Sequence, residues 1–186
     1  MSWDVVAEEQ RIRWIAKPLY GVGPLRFGMT PQEVEEALHG VLELLPWRRD
    51  RPHSRYGSVF SSEYNPPRNH AWESAVTGYF SAGRLVGVAV DALRGPQVLL
   101  DGIALVGRAP SRLRADLIAY TDARDICLHY NYLGDLSSEE LGFFGRSQRA
   151  DNMLLTRPVL VRTLWADRIT DHTETHLPPA EWLDRK

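Results

Sequence analysis

The chain has 186 residues, 44% of them hydrophobic and 25% charged, with a formal net charge of -2. That length supports one domain burying roughly 70% of its unfolded-chain surface, and the slightly acidic balance argues against a nucleic-acid-coating or membrane-surface protein. A lone cysteine excludes an internal disulfide, the opening MSWDVVAEEQ lacks a signal peptide's basic-then-apolar pattern, and no run approaches 18 apolar residues, so a cytoplasmic, membrane-free protein is expected.

Near the N-terminus Arg11 and Arg13 alternate with Ile12 and Trp14, which predicts a short strand. The next stretch, GVGPLRFGMTPQEVEEALHG over 21–40, carries the strongest local signals in the chain. Leu25 and Phe27 alternate with polar neighbours and Gly28 frees the backbone to turn. Thr30, Pro31 and Glu33 then occupy the N-cap, N1 and N3 positions of a capped helix. Met29 and Val34 stand at hydrophobic-staple positions, Val34, Ala37, Leu38 and Val41 share one helical face, and Gly40 suits a left-handed stop. A P-loop is not expected, because no Lys-Ser/Thr pair follows these glycines.

The run Gly23-Pro24-Leu25-Arg26-Phe27-Gly28-Met29-Thr30, followed by Glu33-Val34 and Ala37-Leu38, resembles the opening of a family of uncharacterised bacterial proteins with a GPLRFGM-type strand and turn. More distantly, Gly-Met-Thr plus a helix resembles the repeat of the secreted beta-lactamase inhibitor protein and of small outer-membrane assembly lipoproteins. That resemblance implies helices packed on an antiparallel sheet, and action through binding other proteins.

From 46 to 70 the composition changes: five arginines stand against Asp50 and Glu63, interleaved with Trp47, Tyr56 and Tyr64. Arginine beside large aromatics is the composition of interface hot spots, so Trp47, Arg48, Arg49, Arg51, Tyr56, Tyr64 and, just beyond, Trp72 are the candidate partner-binding residues. The bland explanation is a solvated loop with aromatics folded back on the core. Stacking of single-stranded nucleic acid on the same aromatics is disfavoured by the acidic whole-chain balance.

Residues 75–91 read as a hairpin around Ser81-Ala82-Gly83-Arg84, and Val98 to Leu100 as a further strand. An internal repeat then emerges: Gly23, Phe27, Gly28, Pro31, Val34 and Leu38 recur at an offset of 79 as Gly102, Val106, Gly107, Pro110, Leu113 and Leu117. In this second copy Ala109 replaces the capping Thr30, so Ser111 is expected to cap a slightly later helix. Strands are expected over 126–132, 141–145, 153–156 and 159–165, with Pro158 marking an edge or bulge and Cys127 a small buried hydrophobe. The tail, 169–186, is polar and Pro-rich.

Catalytic patterns are sparse. His172 and His176 flank Glu174 at helical metal spacing, but the segment is rich in poor helix formers and no third ligand can be named. Neither a metal nor a cofactor is expected, and no catalytic residue is assigned. The expected architecture is one α+β domain over 1–186, with related strand-turn-helix-sheet halves at about 20–100 and 101–168 and an antiparallel sheet carrying helices on one face. Its expected work is non-catalytic protein binding of the inhibitor or toxin-immunity kind. The alternative is a small-molecule-binding protein or unrecognised enzyme that uses a concave sheet face, with His129, Tyr130 and Tyr132 as polar contacts. A third reading is self-association as a homodimer.

Overall fold

A computed structural model describes residues 5–49, 51–52, 59–67, 74–130 and 134–166. Strands β1 (Arg13–Lys17), β2 (Gly21–Val22) and β3 (Leu25–Arg26) lead into helix α1 (Pro31–Leu38). Its start is built as the spacing predicts: Thr30 Oγ1 accepts the Glu33 amide at 3.2 Å, and Glu33 Oε2 accepts the Thr30 amide at 2.7 Å. Val34 and Leu38 face the core, and Gly40 ends the turn at φ +77.

The chain then lays down β4 (Glu43–Leu44), β5 (Arg51–Pro52), β6 (Val59–Asn65), β7 (Val76–Ser81) and β8 (Arg84–Val90), followed by the hairpin β9 (Gln97–Leu100) and β10 (Ile103–Ala104). Helix α2 spans Pro110–Asp122; then come β11 (His129–Tyr130), β12 (Leu136–Ser138), β13 (Phe143–Ala150), β14 (Met153–Val161) and a single turn, α3 (Thr163–Ala166). The β7–β8 hairpin turns at Ala82 and Gly83, both with positive φ, as a two-residue turn matched to strand twist requires.

Two sheets form, where one was expected. The smaller has the order β10-β9-β1-β2-β3 and is mixed, because β1 runs parallel to β9, Trp14 opposite Val98, and antiparallel to β2. The larger is antiparallel, in the order β11-β12-β13-β14-β8-β7-β6-β4, with β5 also paired to β6. It consists of two meanders, one after each long helix, joined through the last strand of each, β8 and β14. Within the small sheet, a Cβ at Gly23 would lie 2.5 Å from the Trp14 ring, so glycine is needed for closeness as well as for φ +55.

One apolar cluster joins Val34 and Leu38 of α1, Leu113 and Leu117 of α2, Trp14, Leu25 and Val98 of the small sheet, and Phe80, Leu85, Phe143 and Leu160 of the large one. Both long helices and the small sheet therefore pack on the same face of the large sheet. A second cluster, which includes Tyr79, Val86, Phe144, Val159 and Trp165, lies on the opposite face. There a cross-strand row runs Glu63, Thr77, Ala89, Val159, Phe144, Ser137, and the row beyond it pairs Arg146 with Arg157.

Several expectations shift. β13 runs to Ala150 instead of stopping at Gly145, because Arg146 and Gln148 are buried with partners instead of marking a loop. Pro158 stands inside the large sheet. Its missing N–H points away from β13, on the side where pairing to β8 ends at Val159 and Thr156 bonds the Gly107–Arg108 backbone. Helix α2 begins at Pro110 with no side-chain cap, so Ser111 does not start it. Cys127 is exposed in a non-strand segment, its amide donating to Glu140 Oε1 at 2.9 Å, and is not the buried hydrophobe expected.

Candidate functional site

The outer edge of the large sheet is interrupted. Glu43 and Leu44 stand opposite Asn65 and Tyr64, and the Leu45 amide donates to the Glu63 carbonyl at 2.9 Å. Regular register would place residue 47 opposite Ser61, yet Arg51 stands there, so four residues are looped out. The break comes at Pro46, whose ring-fixed φ suits the first position of the 3-10 turn, Pro46–Arg48, that leaves the ladder there. A bulge at a sheet edge blunts edge-to-edge pairing and re-aims side chains.

Trp47 sits on this bulge and is 61% exposed, the highest value among the large hydrophobic side chains described. Arg49 leaves the turn and reaches back to α1, its Nη2 lying 2.8 Å from Glu35 Oε1 and 2.9 Å from Glu35 Oε2. The bulge is thereby tied to the helix, and the Arg49 charge is already matched on the protein itself. Arg48 closes the turn and Arg51 opens β5.

The other candidates separate. Tyr64 is 1% exposed and belongs to the main core, so its ring is not on the surface with Trp47. Tyr56 and Trp72 lie outside the described residues, as do Tyr132, the 169–186 tail and the His172/His176 pair. His129 and Tyr130 form the outermost strand at the opposite edge of the large sheet, both exposed, with Tyr130 stacked by Arg114, whose Cζ lies 5.5 Å from the ring centroid.

Sequence reasoning missed the buried polar groups. Arg11 is 8% exposed and donates to four backbone carbonyls: Nε to Val6 at 3.1 Å, Nη1 to Gly95 at 2.7 Å, and Nη2 to Ala92 at 2.7 Å and Leu93 at 3.0 Å. Burial pulls its pKa below the ordinary arginine range, against the raising influence of Asp91 and Glu8. Asp91 Oδ1 accepts the Leu93 and Arg94 amides, both at 2.9 Å, so Arg11 and Asp91 brace one turn from two sides. Nearby on β13, Arg146 Nη1 donates to Asp135 Oδ2 at 2.9 Å, with both side chains buried or nearly so. Only Asp91 carried a sequence signal, a charge within the apolar run from Val86 to Leu93, whereas Arg11 and Arg146 stand among polar neighbours and read as surface.

These arrangements brace the fold. Among the described residues no group of three or more His, Cys, Asp or Glu side chains is placed to hold a metal, and no helix is long and apolar enough to cross a membrane. No family model matches the chain, and neither a curated protein nor a solved structure is detectably similar to it.

Proposed function

We propose that the protein is a non-catalytic protein-binding module of the inhibitor or toxin-immunity kind, and that the bulged sheet edge around Trp47 is its contact surface. One observation carries this reading. A large aromatic side chain stands exposed on a bulge that begins at Pro46 and that the Arg49–Glu35 pair holds to α1. An exposed tryptophan on an anchored backbone loses little entropy on binding and buries a large area, which is how hot spots work. Tyr64, buried in the core, drops out of the contact set; Trp47, Arg48, Arg49 and Arg51 remain, together with Tyr56 and Trp72, which lie outside the described residues.

The halves are proposed to descend from one duplicated unit. Support comes from positive φ at Gly23 and Gly102 and at Gly28 and Gly107, from Pro31 and Pro110 at the first position of each long helix, and from the meander after each helix.

The test places a photo-reactive amino acid at position 47, and at Asp122 on α2 as a control, in the protein expressed in its own host. Crosslinking at 47 to one partner protein, absent at 122, supports the reading. Crosslinks only to second copies of this chain replace it with self-association, and no crosslink at 47 above the control removes it.

A further inference from the structure

Between the N-terminal segment and the exit of α1 lies a half-open cavity of about 230 Å³. Trp14 and Leu42, 4% and 5% exposed, are core residues that present a face to it, and Val41 and Pro66 add apolar wall. Arg11 also lines it, its guanidinium bonded to the carbonyls of Gly95, Ala92 and Leu93 beside the cavity. Four of its five N–H groups are already bonded to carbonyls, so it contributes positive potential more than free donors. Asp91, the carboxylate facing it, is occupied by two backbone amides and Gln148.

Arg94 also lines the cavity and differs from Arg11. Its side chain is half-buried and makes no ion pair or hydrogen bond among the described residues. An apolar cavity of about 150 Å³ is large enough to take a benzene molecule. The present one therefore has room for a single ring and a short polar group, although it is smaller than typical drug-sized pockets. A hydrocarbon part is favoured by the Trp14, Leu42 and proline walls, and an anionic end by the unengaged guanidinium.

We propose that this cavity binds a small aromatic carboxylate, with its ring against Trp14 and Leu42 and its carboxylate on Arg94. This goes beyond the protein-binding reading and does not depend on it, since the cavity does not involve Trp47. The probe is benzoate, with benzyl alcohol as its uncharged counterpart, both titrated against the full chain by calorimetry and ligand-observed NMR. Wild type binds benzoate more tightly than benzyl alcohol. Arg94→Gln weakens benzoate by about tenfold, the scale of one charge-assisted hydrogen bond, and leaves benzyl alcohol within about twofold. Ile12→Trp, at an exposed lining position, and Val41→Phe, at another lining position, each abolish binding of both probes while circular dichroism verifies folding; either folded variant suffices. Absence of benzoate binding to wild type at about 10 mM, far above a useful affinity, overturns the proposal. So does benzoate binding that survives the cavity-filling variants, or that Arg94→Gln leaves unchanged.

Discussion

Gln148 on β13 donates from Nε2 to Asp91 Oδ2, at the end of β8, at 2.7 Å, and its Oε1 accepts the Ala92 amide at 3.0 Å. The amide group can satisfy both only in that orientation. Asp91→Asn puts a second NH2 against the Gln148 NH2, or else gives up the Leu93 and Arg94 amides. A cost of about 3 kcal/mol is expected, measured by urea unfolding. The reversed pair, Asp91→Asn with Gln148→Glu, restores donor facing acceptor and should recover about half of that loss. A double variant no more stable than the single would show that the pair is not a coupled unit.

Arg146 and Asp135 pair where water is largely absent, with side chains 2% and 10% exposed. Asp135→Asn leaves a buried guanidinium short of its charge partner and should destabilise by about 3 to 5 kcal/mol. Arg146→Met in the same background should regain stability, because a buried charge is costlier than an apolar chain of similar length. Chemical denaturation of wild type and the two variants checks the order.

Two glycines with positive φ separate backbone strain from crowding. At Gly40, φ +77, nothing lies within 4 Å of an added Cβ, so Gly40→Ala should cost about 1 kcal/mol. At Gly23 the same methyl meets the Trp14 ring, and Gly23→Ala should cost at least about 3 kcal/mol, strain and overpacking together. Thermal unfolding of the two proteins side by side tests this.

The capping box on α1 gives a pH signature. The Thr30 amide, more than its hydroxyl, holds the Glu33 carboxyl below the ordinary glutamate range. A carboxyl with a lowered folded pKa contributes stability that is present above its unfolded pKa and is lost as pH falls through the folded one. Glu33→Gln should therefore flatten part of the acid limb of the stability curve and change little at neutral pH beyond a constant offset. Thr30→Ala should cost about 1 kcal/mol at pH 7.

Trp47→Ala and Arg49→Ala should leave unfolding free energy within about 0.5 kcal/mol of wild type, since one is exposed and the other is in a surface ion pair. Under the proposed function, Trp47→Ala abolishes partner capture at unchanged stability.

What the sequence made legible were features decided by neighbours in the chain. Thr30, Pro31 and Glu33 cap a helix through contacts three residues apart, and Ala82-Gly83 turns a hairpin within four. Features decided by distant partners were opaque. Arg11 and Arg146 look like surface residues until carbonyls 81 to 84 positions away, or an aspartate on a neighbouring segment, are brought to them. The same applies to the site. Trp47 could be singled out by composition, but its exposure depends on a register change against β6, and the burial of Tyr64 depends on the core beneath that strand.

The parallel pairing of β1 with β9 also sets a schedule for the chain as it is made. β2 follows β1 within a few residues, but the opposite edge of β1 waits for Gln97 to Leu99. At about 5 to 20 residues per second that interval is roughly 4 to 17 s during translation, and no tight local hairpin can shorten it. Throughout, the open edge carries only Arg13 and Lys17 at its ends to discourage pairing with another chain. A nascent or truncated product that stops before residue 97 keeps that edge open, and aggregation during synthesis should rise in proportion to how long it persists.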